Sequence, residues 1–275
     1  MAEHRLVTPD SPEYPVGLGD LEDPPPIYVS GYLTDATAVS VVGTRRCTRY
    51  GSDLARSFGK ALGRSGWTTV SGLARGIDAA GHAGTLAAGG HAVAVLGCGI
   101  DVRYPAENRD LYQAILEEGG ALVSEYPPGT RPDRWRFPAR NRLIAAMSAA
   151  VVVVEAGEKG GALITARLAA EIGRPVLVVP GDVDRPASAG CNRLIRDGAF
   201  PVLGTDDLLE ELELLIGPPP SKGTDAPGSD VPDGGIGIEE LPSLWDCTPS
   251  EALVRLAHME GEGLVRRSGD RILPV

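Results

Sequence analysis

Short, wholly apolar runs recur between Ala38 and Leu215, and each is followed by a turn and then by apolar residues at helical spacing. The runs AVSVV (38–42), WTTVSG (67–72), HAVAVLG (91–97), ALVSEY (121–126), VVVVEA (151–156), PVLVVPG (175–181) and FPVL (200–203) predict strands. Between them the spacing predicts helices over 50–62, 76–88, 105–118, 138–148, 161–172, 191–199 and 205–215. In the first helix Leu54, Phe58, Ala61 and Leu62 form the apolar stripe. Strands that are apolar throughout are buried on both faces, and their alternation with helices predicts a doubly wound, mostly parallel α/β sheet. Ligands of such sheets bind beyond the carboxyl ends of the strands, and the glycines of this chain collect there.

The flanks differ. Residues 1–37 are rich in proline and acids and are expected to form an N-terminal arm packed on the main domain, which spans 38–216. Residues 217–235, GPPPSKGTDAPGSDVPDGG, have linker composition. Residues 236–275 then predict a small second domain. It has a short helix over 238–245, a helix capped by Thr248 with Glu251 in a capping box, an apolar stripe Leu253, Leu256, Ala257 and Leu264, and a hairpin around Ser268-Gly269-Asp270. Helix, helix and hairpin make the outline of a winged helix.

Composition narrows the choices. With 43% hydrophobic and 23% charged residues the chain builds a core and is not wholly disordered. Four separated cysteines without a C-x-x-C pair fit a reducing cytosol better than a zinc ribbon or a disulfide scaffold. The first residues lack a signal-peptide h-region, and no apolar run approaches the ~18 residues of a membrane helix, so a cytoplasmic protein is expected. The net charge of −11 argues at first against a nucleic-acid partner. Residues 38–216, however, hold 20 basic and 20 acidic residues, so the whole excess lies in the two ends. Within that neutral stretch Arg131, Arg134, Arg136, Arg140 and Arg142 fall within twelve residues.

Five segments carry candidate chemistry. VVGTRR (41–46) places Gly43, Thr44, Arg45 and Arg46 after the first strand of the main domain, a backbone anion cradle with cations beside it; a βα turn with solvated arginines reads equally well. SGLARGIDAAGH (71–82) has Ser71, Gly72 and Arg75 in a tight loop, with Asp78 as a carboxylate at a helix start. VLGCGIDVRYP (95–105) lets backbone approach at Gly97, and its Cys98 reads as packing because no histidine sits in a matching loop. RPDRWRFPARNRL (131–143) interleaves Trp135 and Phe137 with arginines, the combination that single-strand binding uses. Trp135 reads as either a stacking platform or core, and Phe137 as core. EAGEKGGALITARLAAEIG (155–173) offers a second helix start beside Lys159. No metal constellation, Walker A or G-x-S-x-G elbow is present, so a binding protein without a cofactor is expected over an enzyme.

Taken in order, VVGTRR, VSGLARGIDAAGH, AVLGCGIDVRYPAENR, SEYPPGTRP, FPARNRLIA, VVVVEA, GGALITARLAAEIGRPVLVVPG and GCNRLIRDGA resemble the bacterial DNA-processing protein A (DprA/Smf) family over nearly the whole α/β domain. The resemblance implies a Rossmann-like domain that binds single-stranded DNA and promotes RecA loading in recombination and natural transformation, as a homodimer. It implies a site containing Gly43, Thr44, Arg45, Arg46, Ser71, Gly72, Arg75, Gly97 and the segment Lys159, Gly160, Gly161, Ala162 and Leu163, with Arg140 and Asn141 supporting it. Many relatives carry serine-glycine-serine where this chain has Gly160-Gly161-Ala162. The C-terminal segment resembles the family's winged helix in shortened form; Arg266, Arg267 and Arg271 would place its wing on double-stranded DNA, and its acidic flanking residues fit a protein-contact or packing role equally well. The rival reading is a nucleotide-binding enzyme of the phosphoribohydrolase type. Its P-G-G-x-G-T string is not intact here, and Glu155, the nearest candidate for its catalytic glutamate, reads as structural.

Overall fold

The computed structural model describes residues 4–219, 231–232, 235–245, 248–261, 265–269 and 271–274. The chain divides into two compact units, Met1–Pro220 and Ser221–Val275. In the first, the strands are β1 (His4–Val7), β2 (Ile27–Gly31), β3 (Ala38–Val42), β4 (Thr68–Ser71), β5 (Ala92–Leu96), β6 (Ala121–Ser124), β7 (Ala150–Val153), β8 (Val176–Val178) and β9 (Phe200–Pro201). The helices are α1 (Arg49–Ser65), α2 (Ile77–Leu86), α3 (Arg109–Glu117), α4 (Arg136–Ala146), α5 (Gly161–Glu171), α6 (Ala189–Arg196) and α7 (Thr205–Ile216). One sheet runs β1-β2-β6-β5-β4-β3-β7-β8-β9. The strands from β6 to β9 are mutually parallel, with β3 registered Val39 to Ala150 and Val42 to Val153 on β7. This is the doubly wound, mostly parallel α/β architecture read from the sequence.

Every strand expected after residue 37 forms, and nearly all are trimmed at their carboxyl ends, where the chain peels away into loops. The strands are buried on both faces because helices cover both. Helices α4, α5 and α6 pack Leu143, Ile144, Ala166, Ala169 and Cys191 against one face. On the other face α1, α2 and α7 pack Phe58, Leu62, Ile77, Leu208 and Leu212 around Trp67. Helix α1 starts where the Thr48 hydroxyl accepts from Gly51 N (3.1 Å) and stops at Gly66, whose φ of 91° a side chain would oppose.

The N-terminal segment differs from the arm expected for 1–37. It enters the sheet: β2 pairs antiparallel with β6 (Tyr28 to Ser124), and β1 pairs antiparallel with β2. Val7, Leu18, Ile27 and Val29 are fully buried in the core, so the segment is part of the fold.

The second unit contains β10 (Ile236–Gly237), α8 (Leu241–Leu244), α9 (Pro249–Gly261), β11 (Val265–Ser268) and β12 (Arg271–Pro274). Its sheet runs β10-β12-β11 over a core of Leu241, Ala252, Leu256, Met259, Val265 and Ile272. The expected helices and hairpin are present, with β10 as an added third strand. Most of the linker, Cys247, the Glu251 side chain, Leu264 and Asp270 lie outside the described residues. No helix among the described residues is long and apolar enough to cross a membrane.

Candidate nucleic-acid interface

Strand order decides where a ligand can sit. From β3 the chain winds outward to β4, β5 and β6; it then crosses back to β7, on the other side of β3, and continues to β8 and β9. The loops after β3 and β7 therefore part toward opposite faces, and a crevice opens at their carboxyl ends. A cleft of about 1670 Å³ occupies this position.

Its walls are held by a few buried polar groups. Glu155, at the end of β7, is 6% exposed; its carboxylate accepts from Thr48 N (2.9 Å) and the Thr48 hydroxyl (3.3 Å), and its carbonyl accepts from Thr44 N (2.7 Å). The carboxylate is thus committed to lashing the β3 loop to β7, the structural role read from the sequence. Asp78, in the first turn of α2, accepts from Gly72 N (3.1 Å) and Ala74 N (3.4 Å). Burial pushes its carboxyl above the usual range, against the pull of Arg140 and of those N–H groups. Arg140 reaches under the rim from α4 and donates to Gly72 O (3.0 Å), to Val95 O and to Asn141 Oδ1 (3.3 Å). It is 3% exposed, and burial lowers its pKa. Asn141 Nδ2 in turn donates to Gly161 O (3.1 Å), which fixes the start of α5.

That start is open. Gly160 precedes α5 with no side-chain cap, and a Cβ placed on it would meet nothing within 4 Å. The first N–H groups of an uncapped helix lack intrahelical partners and carry the positive end of the dipole. Around them stand Arg45, Arg46, Arg134 and Lys159, all exposed and none with an acidic partner within 4 Å among the described residues. The Arg45 guanidinium lies 5.2 Å from the Phe137 ring centroid, and that ring stacks on Tyr104 (5.4 Å, 29°). The arrangement is chemically able to hold a chain of anions by backbone amides and cations, with aromatic surface beside them.

The structure gathers most of the expected site residues. Gly43, Thr44, Arg45, Arg46, Arg140, Asn141, Lys159, Gly160, Gly161, Ala162 and Leu163 line the cleft. Gly72, Arg75 and Gly97 line a small adjoining pocket with Arg45, Tyr104 and Phe137. Gly72 and Gly97 are glycines because Arg140 and Phe137 lie on them; a Cβ at 97 would sit 2.7 Å from Phe137 Cδ1. Arg75 is engaged by Glu107 (3.2 Å). Ser71 lies beneath the rim: it is fully buried and its hydroxyl donates to Val41 O (2.7 Å), so that side chain braces two strands and offers nothing to a ligand.

The arginine-rich segment does not form the single patch its spacing implies. Arg140 is buried, Arg142 pairs with Glu125 (2.5 Å), and Arg136 lies over the rings of Tyr126 and Trp135 (5.2 and 5.0 Å). Arg134 alone of the exposed members lines the cleft. Trp135 is 58% exposed and outside the core, while Phe137, read as core, is half-buried on the cleft wall. Cys98 donates to Val102 O (3.3 Å), and burial pushes its thiol up to about 11, which suits packing and not nucleophilic work. Sequence reasoning missed Tyr104, whose only signal is its place just after a strand-end glycine loop.

Comparison with known proteins settles the lineage. The family model for DNA recombination-mediator protein A matches residues 5–213. The chain belongs to the DNA recombination-mediator protein A family. Protein Smf of Synechocystis sp. is 45% identical over 215 residues, covering 76% of this chain and 54% of that protein. The X-ray structure of DNA processing protein A (DprA) from Streptococcus pneumoniae superposes with a TM-score of 0.71 at 37% identity, covering 76% of this chain and 74% of that one. DNA processing protein A from Helicobacter pylori, whose structure was described for its single-stranded DNA binding mode, matches with a TM-score of 0.69 at 28% identity, over 77% of this chain and 98% of that one. This family member spans about half the length of the Synechocystis relative, and its second unit lies outside the family-model match.

Proposed function

We propose that this chain binds single-stranded DNA in the β3–β7 cleft and delivers it to a RecA-type recombinase during recombination and natural transformation. It acts in the cytoplasm as a homodimer and without catalysing a reaction. The observation that carries the reading is the cleft itself: an uncapped helix start and four cations without ion-pair partners among the described residues face one crevice of a chain whose net charge is −11. Phosphates would lie on the α5 amides, Arg45 and Lys159, with bases toward Phe137 and Tyr104. The relative from Helicobacter pylori, described for its single-stranded DNA binding mode, supports the assignment. The phosphoribohydrolase-type alternative needs a free carboxylate at the strand ends, and Glu155 is already engaged by Thr48. Arg266, Arg267 and Arg271 of the second unit give it a surface for duplex DNA, with Arg267 now engaged by Glu260 (3.0 Å).

Fluorescence anisotropy with labelled oligothymidylate at two salt concentrations tests the reading. Arg45→Ala and Lys159→Ala are each expected to weaken binding by about 1–3 kcal/mol, the scale of a charged hydrogen bond. Each is also expected to flatten the salt dependence by about 0.7 in log K per log salt. Unchanged affinity in both variants rejects the cleft.

A further inference from the structure

The aromatic residues of the arginine-rich segment part to two places. Phe137 stacks on Tyr104 at the cleft wall. Trp135, at the start of α4, does not line the cleft. It pairs instead with Tyr126, from the loop after β6, at 6.3 Å between ring centroids and 89° between planes. The Arg136 guanidinium lies over both of these rings, and its Nη1 donates to Arg131 O. Trp135 Nε1 donates to Asp133 Oδ2 (3.0 Å), so the indole's one polar group is satisfied. The ring is thus held in one orientation, yet the residue stays 58% exposed. Tryptophan is mostly buried in folded proteins, as Trp67 is here. At position 135 the fold pins an indole at the surface instead.

We infer that Trp135 and Tyr126 form a second base-stacking platform, and that a single strand leaving the rim past Phe137 lays a further base on Trp135. This rests on the rim reading above. The platform is continuous with the rim: Arg134, which lines the cleft, is the residue next to Trp135, so their Cα atoms are about 3.8 Å apart. Both aromatic pairs stand at the carboxyl edge of the sheet. There the loops after β5 and β6 are tied together, with Gly99 N donating to Thr130 O (2.8 Å) and Gly129 N to Asp101 Oδ1 (2.7 Å). In the strand order β5 and β6 lie on the opposite side of β3 from β7, β8 and β9, so this path runs away from β9. The charge also fits. Residues 131–137 hold three arginines and one aspartate. Arg131 and Arg134 are exposed, with no acidic partner within 4 Å among the described residues, and Glu125 beside Tyr126 is taken by Arg142 (2.5 Å). A nucleobase offers a flat face to the indole and phosphates to the arginines, and such stacking tolerates any base. A docking protein would meet the same rings, but it would draw no advantage from their continuity with a phosphate-holding rim.

Fluorescence anisotropy on the full chain compares a labelled oligothymidylate with an abasic oligonucleotide of the same length, which keeps the phosphates and lacks the bases. The Trp135 side chain makes no cap bond to α4 and lies outside the core, so its variants should fold as the parent does. Trp135→Ala is expected to weaken oligothymidylate about fivefold or more, the lower end for one stacked base. The salt slope should not change, because no phosphate contact is lost. The abasic strand should be held within about twofold of the parent, since it has no base to stack. Trp135→Phe keeps an aromatic face and should hold oligothymidylate within about threefold of the parent. Emission gives a second readout. Trp67 is buried and Trp245 half-buried, so Trp135 is the tryptophan placed to be quenched by a stacked base. Quenching by oligothymidylate should be largely lost in Trp135→Phe although the strand still binds. Lys159→Ala should weaken both oligonucleotides; if it weakens neither, the rim reading itself falls. The platform alone is overturned if Trp135→Ala weakens both oligonucleotides equally, or neither, the second being the result of a Trp135 that serves only a protein partner. Quenching of parental size in Trp135→Phe overturns it too.

Discussion

Arg140→Met removes a guanidinium that is 3% exposed and leaves a side chain of similar length in its place, so the chief loss is electrostatic. Three hydrogen bonds disappear, to Gly72 O, Val95 O and Asn141 Oδ1. Asp78, also buried, loses the positive charge that offsets its desolvation. Breaking a buried charge arrangement from one side costs about 3–5 kcal/mol, because the remaining group stays buried and uncompensated. Urea denaturation of the full chain reads this directly. With m near 3 kcal/mol/M, the upper end for small proteins, the midpoint of the main transition should fall by about 1–1.7 M. Adding Asp78→Asn should restore about 1 kcal/mol or more, since the stranded charge is gone, whereas independent sites would add within about 0.5 kcal/mol. A midpoint shift worth less than about 1 kcal/mol, or strict additivity of the pair, would refute the idea that these two buried groups hold the rim together.

Two further expectations follow from the same geometry. His82 is fully buried with neither ring nitrogen hydrogen-bonded, and burial pushes its pKa from 6.5 down to about 4. The folded state therefore keeps it neutral while the unfolded chain takes up a proton, so stability is lost as pH falls from about 6.5 toward 4. At ~1.4 kcal/mol per tenfold the loss approaches about 3 kcal/mol. The stability of His82→Leu relative to the parent should improve by about that amount over this range, and a pH-independent difference in denaturation midpoints would contradict it. Gly160 has open space around its absent Cβ and an extended φ of 170°. Gly160→Val should leave the thermal midpoint within about 2 °C of the parent, as for a surface change worth under ~0.5 kcal/mol, yet weaken oligothymidylate binding severalfold by keeping phosphate from the α5 amides; unchanged binding counts against close backbone approach at this loop.

The strands β3 to β8 were legible because they are buried on both faces, which leaves a largely apolar run in the sequence. The N-terminal strands were not. HRLV and IYVSG are short, β1 is exposed except at Val7, and β2 pairs with β6 some ninety residues away in sequence. Local pattern contains no trace of that partner. The helix placed at Pro138 begins at Arg136, since proline is tolerated in a first turn where the N–H needs no intrahelical acceptor. The rim loops were legible as glycine clusters at strand ends, but the fate of each cation was not. Arg136 and Arg140 are one turn apart, yet one lies over two aromatic rings at the surface and the other threads beneath Gly72. Spacing places both on one side of α4, and only tertiary packing decides what each meets.

How an acidic chain would hold a polyanion follows from where its charges are spent. In the first unit several arginines are matched: Arg5 with Glu13, Arg75 with Glu107, Arg142 with Glu125, Arg174 with Asp20. Those pairs remove positive potential from the surface around the cleft. Helix α7, TDDLLEELELLI, adds acids without any base. The cleft-wall cations without acidic partners among the described residues keep their charge, and the low-dielectric walls of a crevice focus their field. At the β3–β7 rim a strand would meet amides with no intrahelical partner. The net charge of −11 thus disfavours diffuse adsorption of nucleic acid, and at the β3–β7 rim backbone geometry and cations without acidic partners among the described residues coincide.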